Sequence, residues 1–243
     1  MKSHHEYLSN LIELLTILRQ DCQKVEEAAG LIAQSLQNDG LIHVFGTGHS
    51  HMLAEEMFYR AGGLGSVNPI LEEDLMLHKN ASRSTELERN PELAINILAK
   101  HKLRKGDVFI IASNSGGNAL VEAIGNQVKE RGLLLIAITS LKHATSPAAR
   151  VHGRKIHELA DITIDNLGQV GDATISYPGL EEKTGPTSTV LGTAIVNALV
   201  VRSVEIMIEN GHKPEIFSSS NTSYGDSRNS ELLSILKERV SIL

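Results

Sequence analysis

Two short segments carry the residue types best suited to holding a phosphate. The first is Gly46-Thr47-Gly48-His49-Ser50-His51, and the second is Ser113-Asn114-Ser115-Gly116-Gly117-Asn118. A phosphate dianion needs several donors and close backbone approach, and a glycine removes the Cβ that would block it. A helix N-terminus adds unpaired N–H groups and a favourable dipole. Gly48 with the hydroxyls of Ser50, Ser113 and Ser115 would complete such a cradle without a lysine in the loops. A third hydroxyl-bearing segment, Pro186-Thr187-Ser188-Thr189, opens a long apolar stretch and offers Thr187 and Ser188. Gly46-x-Gly48 alone is a weak signal. It is no dinucleotide fingerprint, because position 51 is His, and no Walker loop, because Gly-Lys-Ser/Thr is absent. The pair of loops, about 65 residues apart and each after an apolar run, is far more specific.

Acid–base candidates cluster beside the first loop. His49 and His51 lie in it, and Glu55 and Glu56 follow on the next helix. His51 and Glu55 are four apart and share a helix face. This spacing suits an exposed ion pair, an acid–base pair or the seed of a metal site; no metal and no cofactor are expected. Glu181 and Glu182 read as an exposed loop pair, His78 as a surface residue, and His212 as a helix-end histidine or a site residue.

The elements that must position these groups alternate. Leu41–Phe45 and Val108–Ala112 are strands that end in the two loops, each followed by a helix, about 51–61 and 119–130. Ser66–Ile70, Leu133–Ile138 and Ala160–Asp165 are further strands. Continuous apolar strands between helices predict a parallel sheet covered on both faces. In such sheets ligands sit at the carboxyl ends of the strands. A flavodoxin-like order would place the two loops side by side. Leu71–Arg89 reads as polar and irregular, followed by a helix opened by Pro91 and capped by Asn90, ending near His101. Lys142–Glu158 reads as a polar connection, Asp172–Tyr177 as an edge strand or extended loop, and Pro186–Glu209 as a buried helix. A short helix from Ser230 follows a polar stretch. At the N-terminus, Leu8, Leu11, Leu15, Leu18, Cys22, Val25, Ala29, Ile32 and Leu36 form a heptad-like seam on one long helix. It suits packing within the domain, a dimer interface, or both.

Composition narrows the functions. The chain has 243 residues, 41% hydrophobic and only 3% aromatic, so its core is aliphatic. The net charge of −6, without basic clusters, argues against nucleic acid as a partner. A bound anion must then be held locally. Thr193, Asn197, Arg202 and Glu205 interrupt the most apolar stretch, so no membrane span is expected. The single Cys22 forms no internal disulfide, reads as core filling, and points to a cytoplasmic protein.

On the three quoted segments the chain resembles the SIS (sugar isomerase) domain family, over about residues 5 to 210. It is most similar to a bacterial branch labelled as phosphoheptose isomerases. The resemblance implies a three-layer α/β/α sandwich with a five-stranded parallel sheet, one domain over 1–243 with a helical extension (about 1–38) and a tail (about 211–243). It implies a homodimer, or a dimer of dimers, with sites shared between subunits. It implies phosphate binding by Ser50, Ser113, Asn114, Ser115 and Asn118, the last replacing a usual Thr, and a His supplied across the interface, matched here by His212. One departure matters. The catalytic Glu of phosphoheptose isomerases falls here on Arg60. The leading expectation is a phosphosugar-binding protein that isomerises an aldose–ketose pair; the alternative is a non-catalytic phosphosugar sensor.

Overall fold

The computed structural model describes residues 2–149 and 152–243. Met1, in the expected polar N-terminus, and Arg150 and Val151, in the expected polar connection, lie outside the described residues. The elements run α1 (Ser3–Gln20), α2 (Gln23–Gln37), β1 (Ile42–Gly46), α3 (Met52–Met57), β2 (Val67–Ile70), α4 (Leu77–Leu87), α5 (Leu93–Ala99), β3 (Val108–Ala112), α6 (Ala119–Glu130), β4 (Leu134–Thr139), α7 (Leu141–Ala144), α8 (Ile156–Leu159), β5 (Ile162–Asp165), β6 (Ala173–Ile175), β7 (Thr184–Pro186), α9 (Ser188–Glu209) and α10 (Ser223–Leu236).

β1 to β5 form one parallel sheet in the order β2-β1-β3-β4-β5. Side chains alternate across it, as strand geometry requires. Ile42, Val44, Val108 and Ile110 face one core layer with α2, α3 and α9, while Phe45, Phe109 and Ile111 face the other with α5, α6 and α8. The expected three-layer sandwich, its parallel sheet and its strand order are therefore present. β6 and β7 form a separate antiparallel hairpin, not an edge of this sheet.

Several expected boundaries move, each for a local reason. The N-terminal seam is two helices, broken at Asp21–Cys22, and Cys22 is exposed at the break rather than filling the core. α2 belongs to the core, whereas only Leu11 of α1 is buried. The polar stretch before Pro91 holds α4. Asn80 leaves helical geometry and its Oδ1 accepts the Arg83 N–H at 3.1 Å, so it caps the last turns of that helix. Ser84, fully buried, donates to the Leu75 carbonyl at 2.8 Å and anchors α4 without an apolar stripe. α3 stops at Met57, because Phe58 is extended and Tyr59 takes φ 44°. α10 starts seven residues before the expected Ser230, capped by Thr222, whose hydroxyl accepts the Gly225 N–H at 3.1 Å. α9 has the length and composition of a membrane span but packs with α2 and α3 in the core.

A buried polar network ties the amino ends of the first strands. The Asp107 carboxylate lies 3.0 Å from His43 Nε2 and accepts the Leu41 and Arg104 N–H groups, each at 2.9 Å. Arg239, from the chain end, adds donors at 3.1 and 3.2 Å. Asn68, paired in register with His43, sits 2.8 Å from its Nδ1 and 3.2 Å from His101 Nδ1. Burial pushes the Asp107 carboxyl up, but the bonds from His43, Leu41 and Arg104 together hold it below its ordinary value. Burial, then the charges of His43 and Lys100, lowers His101 to about 4.

Replacing Asp107 by Ala strands His43 and Arg239 and should cost about 3 kcal/mol in urea unfolding; a loss of only a few tenths would show that the network does not stabilise the fold. His101 stays neutral when folded and can charge at its ordinary value when unfolded. The unfolded chain therefore binds more protons between about 4 and 6.5, and stability falls as pH drops through that window. Urea midpoints measured across it should show this fall, reduced in His101→Asn.

Candidate functional site

β1 and β3 are neighbours, with Gly46 paired to Ala112, so the two loops leave the sheet side by side. They touch. Asn118 Oδ1 accepts the Val121 N–H at 2.7 Å and caps α6, while its Nδ2 donates to Thr47 Oγ1 at 3.4 Å. One amide thus closes a helix end and bridges the loops. Gly48 (φ 54°) and Gly116 (φ 62°) take the left-handed conformation that disfavours a Cβ. The Gly116 N–H donates to the Ser113 carbonyl at 3.1 Å and lies 3.2 Å from its Oγ. Ser113 is buried, and its Oγ shapes the turn as an acceptor.

Two clefts flank the second loop. One gathers Ser50, Ser113, Asn114, Asn166, Ser188 and Thr189, but its free volume is about 10 Å³. That holds about one water. The other, about 200 Å³, is lined by Thr85, Glu88, Arg89, Ser115, Gly117, Asn118 and His152. The predicted phosphate ligands are thus divided. Ser115 and Asn118 face the roomy cleft, while Ser50, Ser113, Asn114 and Ser188 share the narrow one. Asn114 is engaged as a tie between loops: its Oδ1 accepts from Asn166 Nδ2 at 3.1 Å and its carbonyl from the Ser140 N–H at 3.1 Å. Ser188 donates its hydroxyl to Asp172, whose other oxygen accepts the Ser188 N–H at 2.9 Å and the Thr187 N–H at 3.2 Å. A carboxylate thus occupies the start of α9, and Thr187 is fully buried behind it.

The acid–base candidates separate in the same way. His51 is buried, and its Nδ1 donates to the Gly48 carbonyl. A carbonyl only accepts, so the proton sits on Nδ1 and Nε2 is left toward Glu55 Oε1 at 3.8 Å. His49 and Glu55 are exposed. Glu56 is paired with Arg60 and accepts from Asn197 Nδ2 at 2.6 Å, which turns it toward α9. His212 lines a cavity of about 350 Å³ with Asp39, Ser66, Lys213 and Arg239, at the amino ends of β1 and β2. Within one chain it does not join the loops. Glu181 and Glu182 are exposed.

Thr85, Glu88, Arg89 and His152, absent from the sequence-based set, also line the roomy cleft. Glu88 and Arg89 follow α4 and border it, and the Glu88 carbonyl accepts the Leu120 N–H at 3.1 Å. Burial raises the Glu88 carboxyl above its ordinary value, moderated by a hydrogen bond from the Thr47 hydroxyl and by the Arg89 charge. Lys155 lies behind Gly117, where an added Cβ would overlap its Nζ, and that nitrogen is 3.5 Å from the Ser115 carbonyl. Burial lowers its pKa. The one available signal was the α4 cap at Asn80, which would have placed Glu88 at a helix end facing the loops. Among the described residues no three His, Cys, Asp or Glu side chains are grouped to hold a metal.

Losing the Asn118 side chain to Ala should cost about 1 kcal/mol of stability through the lost cap. Asn118→Asp keeps an acceptor for Val121 and should recover most of that in urea titrations, though not the bond to Thr47.

The SIS domain family model matches residues 6–140. The chain is 40% identical to a UPF0309 protein of Geobacillus kaustophilus over 241 residues, covering 98% of this chain and 96% of that one. It is 43% identical to a UPF0309 protein of Thermoanaerobacter pseudethanolicus over 226 residues, covering 91% and 92%. Its fold is similar to a phosphoheptose isomerase from Francisella tularensis (TM-score 0.54, 13% identity, 84% and 97% covered). A phosphoheptose isomerase from Neisseria gonorrhoeae is also similar (TM-score 0.52, 17% identity, 84% and 98% covered). With two bridged loops at the carboxyl ends of adjacent parallel strands, and with these relatives, the chain belongs to the SIS domain family and, within it, to the UPF0309 proteins.

Proposed function

We propose that this chain binds a phosphorylated sugar in the cleft beside Ser115 and Asn118 and interconverts its aldose and ketose forms. The observation that carries the reading is the roomy cleft at the start of α6. It joins a glycine loop in a conformation open to close approach, the Ser115 hydroxyl, the end of a helix dipole and one guanidinium, Arg89. These donors suit a phosphate dianion, and family membership supports a sugar as its carrier. Isomerisation needs a group of tuned pKa near the reacting carbons, and Glu88 and His152 border the same space.

A second reading is a phosphosugar sensor without turnover. It is favoured by Arg60, which stands where the resemblance places a catalytic Glu and is paired with Glu56. We also propose a homodimer, supported by the apolar residues Leu8, Ile12, Leu15 and Ile17 left exposed on α1.

Thermal-shift titration with hexose, amino-sugar, pentose and heptulose monophosphates should find at least one stabilising compound. In the double variant Ser115→Ala, Arg89→Ala its affinity should fall at least tenfold, about 1.4 kcal/mol, with unchanged urea stability. Equal affinity in that variant would remove the phosphate from this cleft. Binding without turnover, followed by NMR, would select the sensor.

A further inference from the structure

Glu88 is the one carboxylate that the fold delivers to both loops at once. Its side chain reaches the first loop, where a Cβ added at Gly48 would lie 3.4 Å from Oε1 and where the Thr47 hydroxyl donates toward it. Its backbone closes the α6 terminus through the Leu120 N–H, and the residue borders the roomy cleft with Ser115 and Asn118. Thr47, beside Gly48 in that loop, accepts from Asn118 Nδ2 at 3.4 Å, which ties the first loop to the second. Glu55 is exposed and Glu56 is held by Arg60 and Asn197. Neither is comparably placed.

We infer that Glu88 is the proton-transfer residue of the proposed isomerisation, supplied by the segment after α4 rather than by α3. The inference rests on the proposed sugar-phosphate site. In the step, a Glu88 oxygen takes the proton from the carbon next to the aldehyde. The C–H electron pair becomes a carbon–carbon double bond, and the aldehyde π pair moves to oxygen, giving an enediolate. Glu88 then returns its proton to the former aldehyde carbon. The hydroxyl proton of the neighbouring carbon passes to the enediolate oxygen, and a ketose results. Nothing is oxidised or reduced overall, and no co-reactant is required.

The environment fits this task. A carboxyl raised by burial is a stronger base than an exposed one. The titratable and charged groups facing it are Arg89 on its own segment, His152 across the cleft, Lys155 behind Gly117, and His49 and His51 on the turn against which α4 packs.

The test uses the full chain with glucose 6-phosphate and ribose 5-phosphate in deuterated water, following deuterium incorporation next to the carbonyl by NMR. Wild type should exchange one position. Glu88→Gln, which keeps an acceptor for Thr47, should bind the same compound within about threefold yet exchange at least 100-fold more slowly. Glu88→Asp should be intermediate. The acid limb of the wild-type rate profile should lie above the ordinary Glu value near 4.3 and disappear in Glu88→Gln. Wild-type-like exchange in Glu88→Gln overturns the assignment to Glu88 and leaves the binding reading standing. Binding without exchange in the wild type also overturns it and selects the sensor. Failure of both compounds, and of the amino-sugar and heptulose monophosphates run beside them, to bind removes the site reading and the role of Glu88 with it.

Discussion

The pairing of β1 with β3 is the constraint on which the site depends. Parallel register sets Gly46 opposite Ala112, so both loops must leave the sheet at one height and on neighbouring strands. Two further devices keep them there. At the amino ends, Asp107 at the entry to β3 accepts the N–H of Leu41, which precedes β1, and pairs with His43. At the carboxyl ends, the Asn118 amide caps α6 and reaches Thr47. The register is thus pinned at both edges by polar groups, while the aliphatic layers between supply most of the burial free energy.

Much of this was legible in the residues. Continuous apolar runs such as Val108–Ala112 can only be strands buried on both faces, and each ends in a glycine loop. The sheet and the neighbouring loops follow from that pattern. What stayed hidden depends on tertiary capping and pairing. α4 has no apolar stripe; a buried Ser84 and the Asn80 cap hold it, and neither shows in hydrophobic periodicity. Because α4 was hidden, so were Glu88 and Arg89. The seam from Leu8 to Leu36 concealed a break, since a three–four spacing continues across Asp21–Cys22 even where the chain turns.

Hydroxyl-rich segments also mislead about which hydroxyls are available. Ser113 and Ser188 look like ligands in sequence, yet Ser113 shapes its own turn and Ser188 is satisfied by Asp172. Ser and Asn close turns and helix ends as readily as they hold phosphates. Of the expected phosphate ligands, Ser115 and Asn118 line the roomy cleft, and Asn118 is already using both atoms of its amide. Among the described residues, the side chains that line this cleft and carry donors are Thr85, Arg89, Ser115, Asn118 and His152.

Arg89, which lines the cleft, would have a kinetic consequence for the proposed phosphate ligand. A chain of net charge −6 repels a dianion, but beyond a Debye length, about 8 Å at physiological ionic strength, that repulsion is largely screened. Arg89 acts only inside that range. Encounter of the proposed ligand would then be unsteered at long range, and added salt would weaken the local attraction to Arg89.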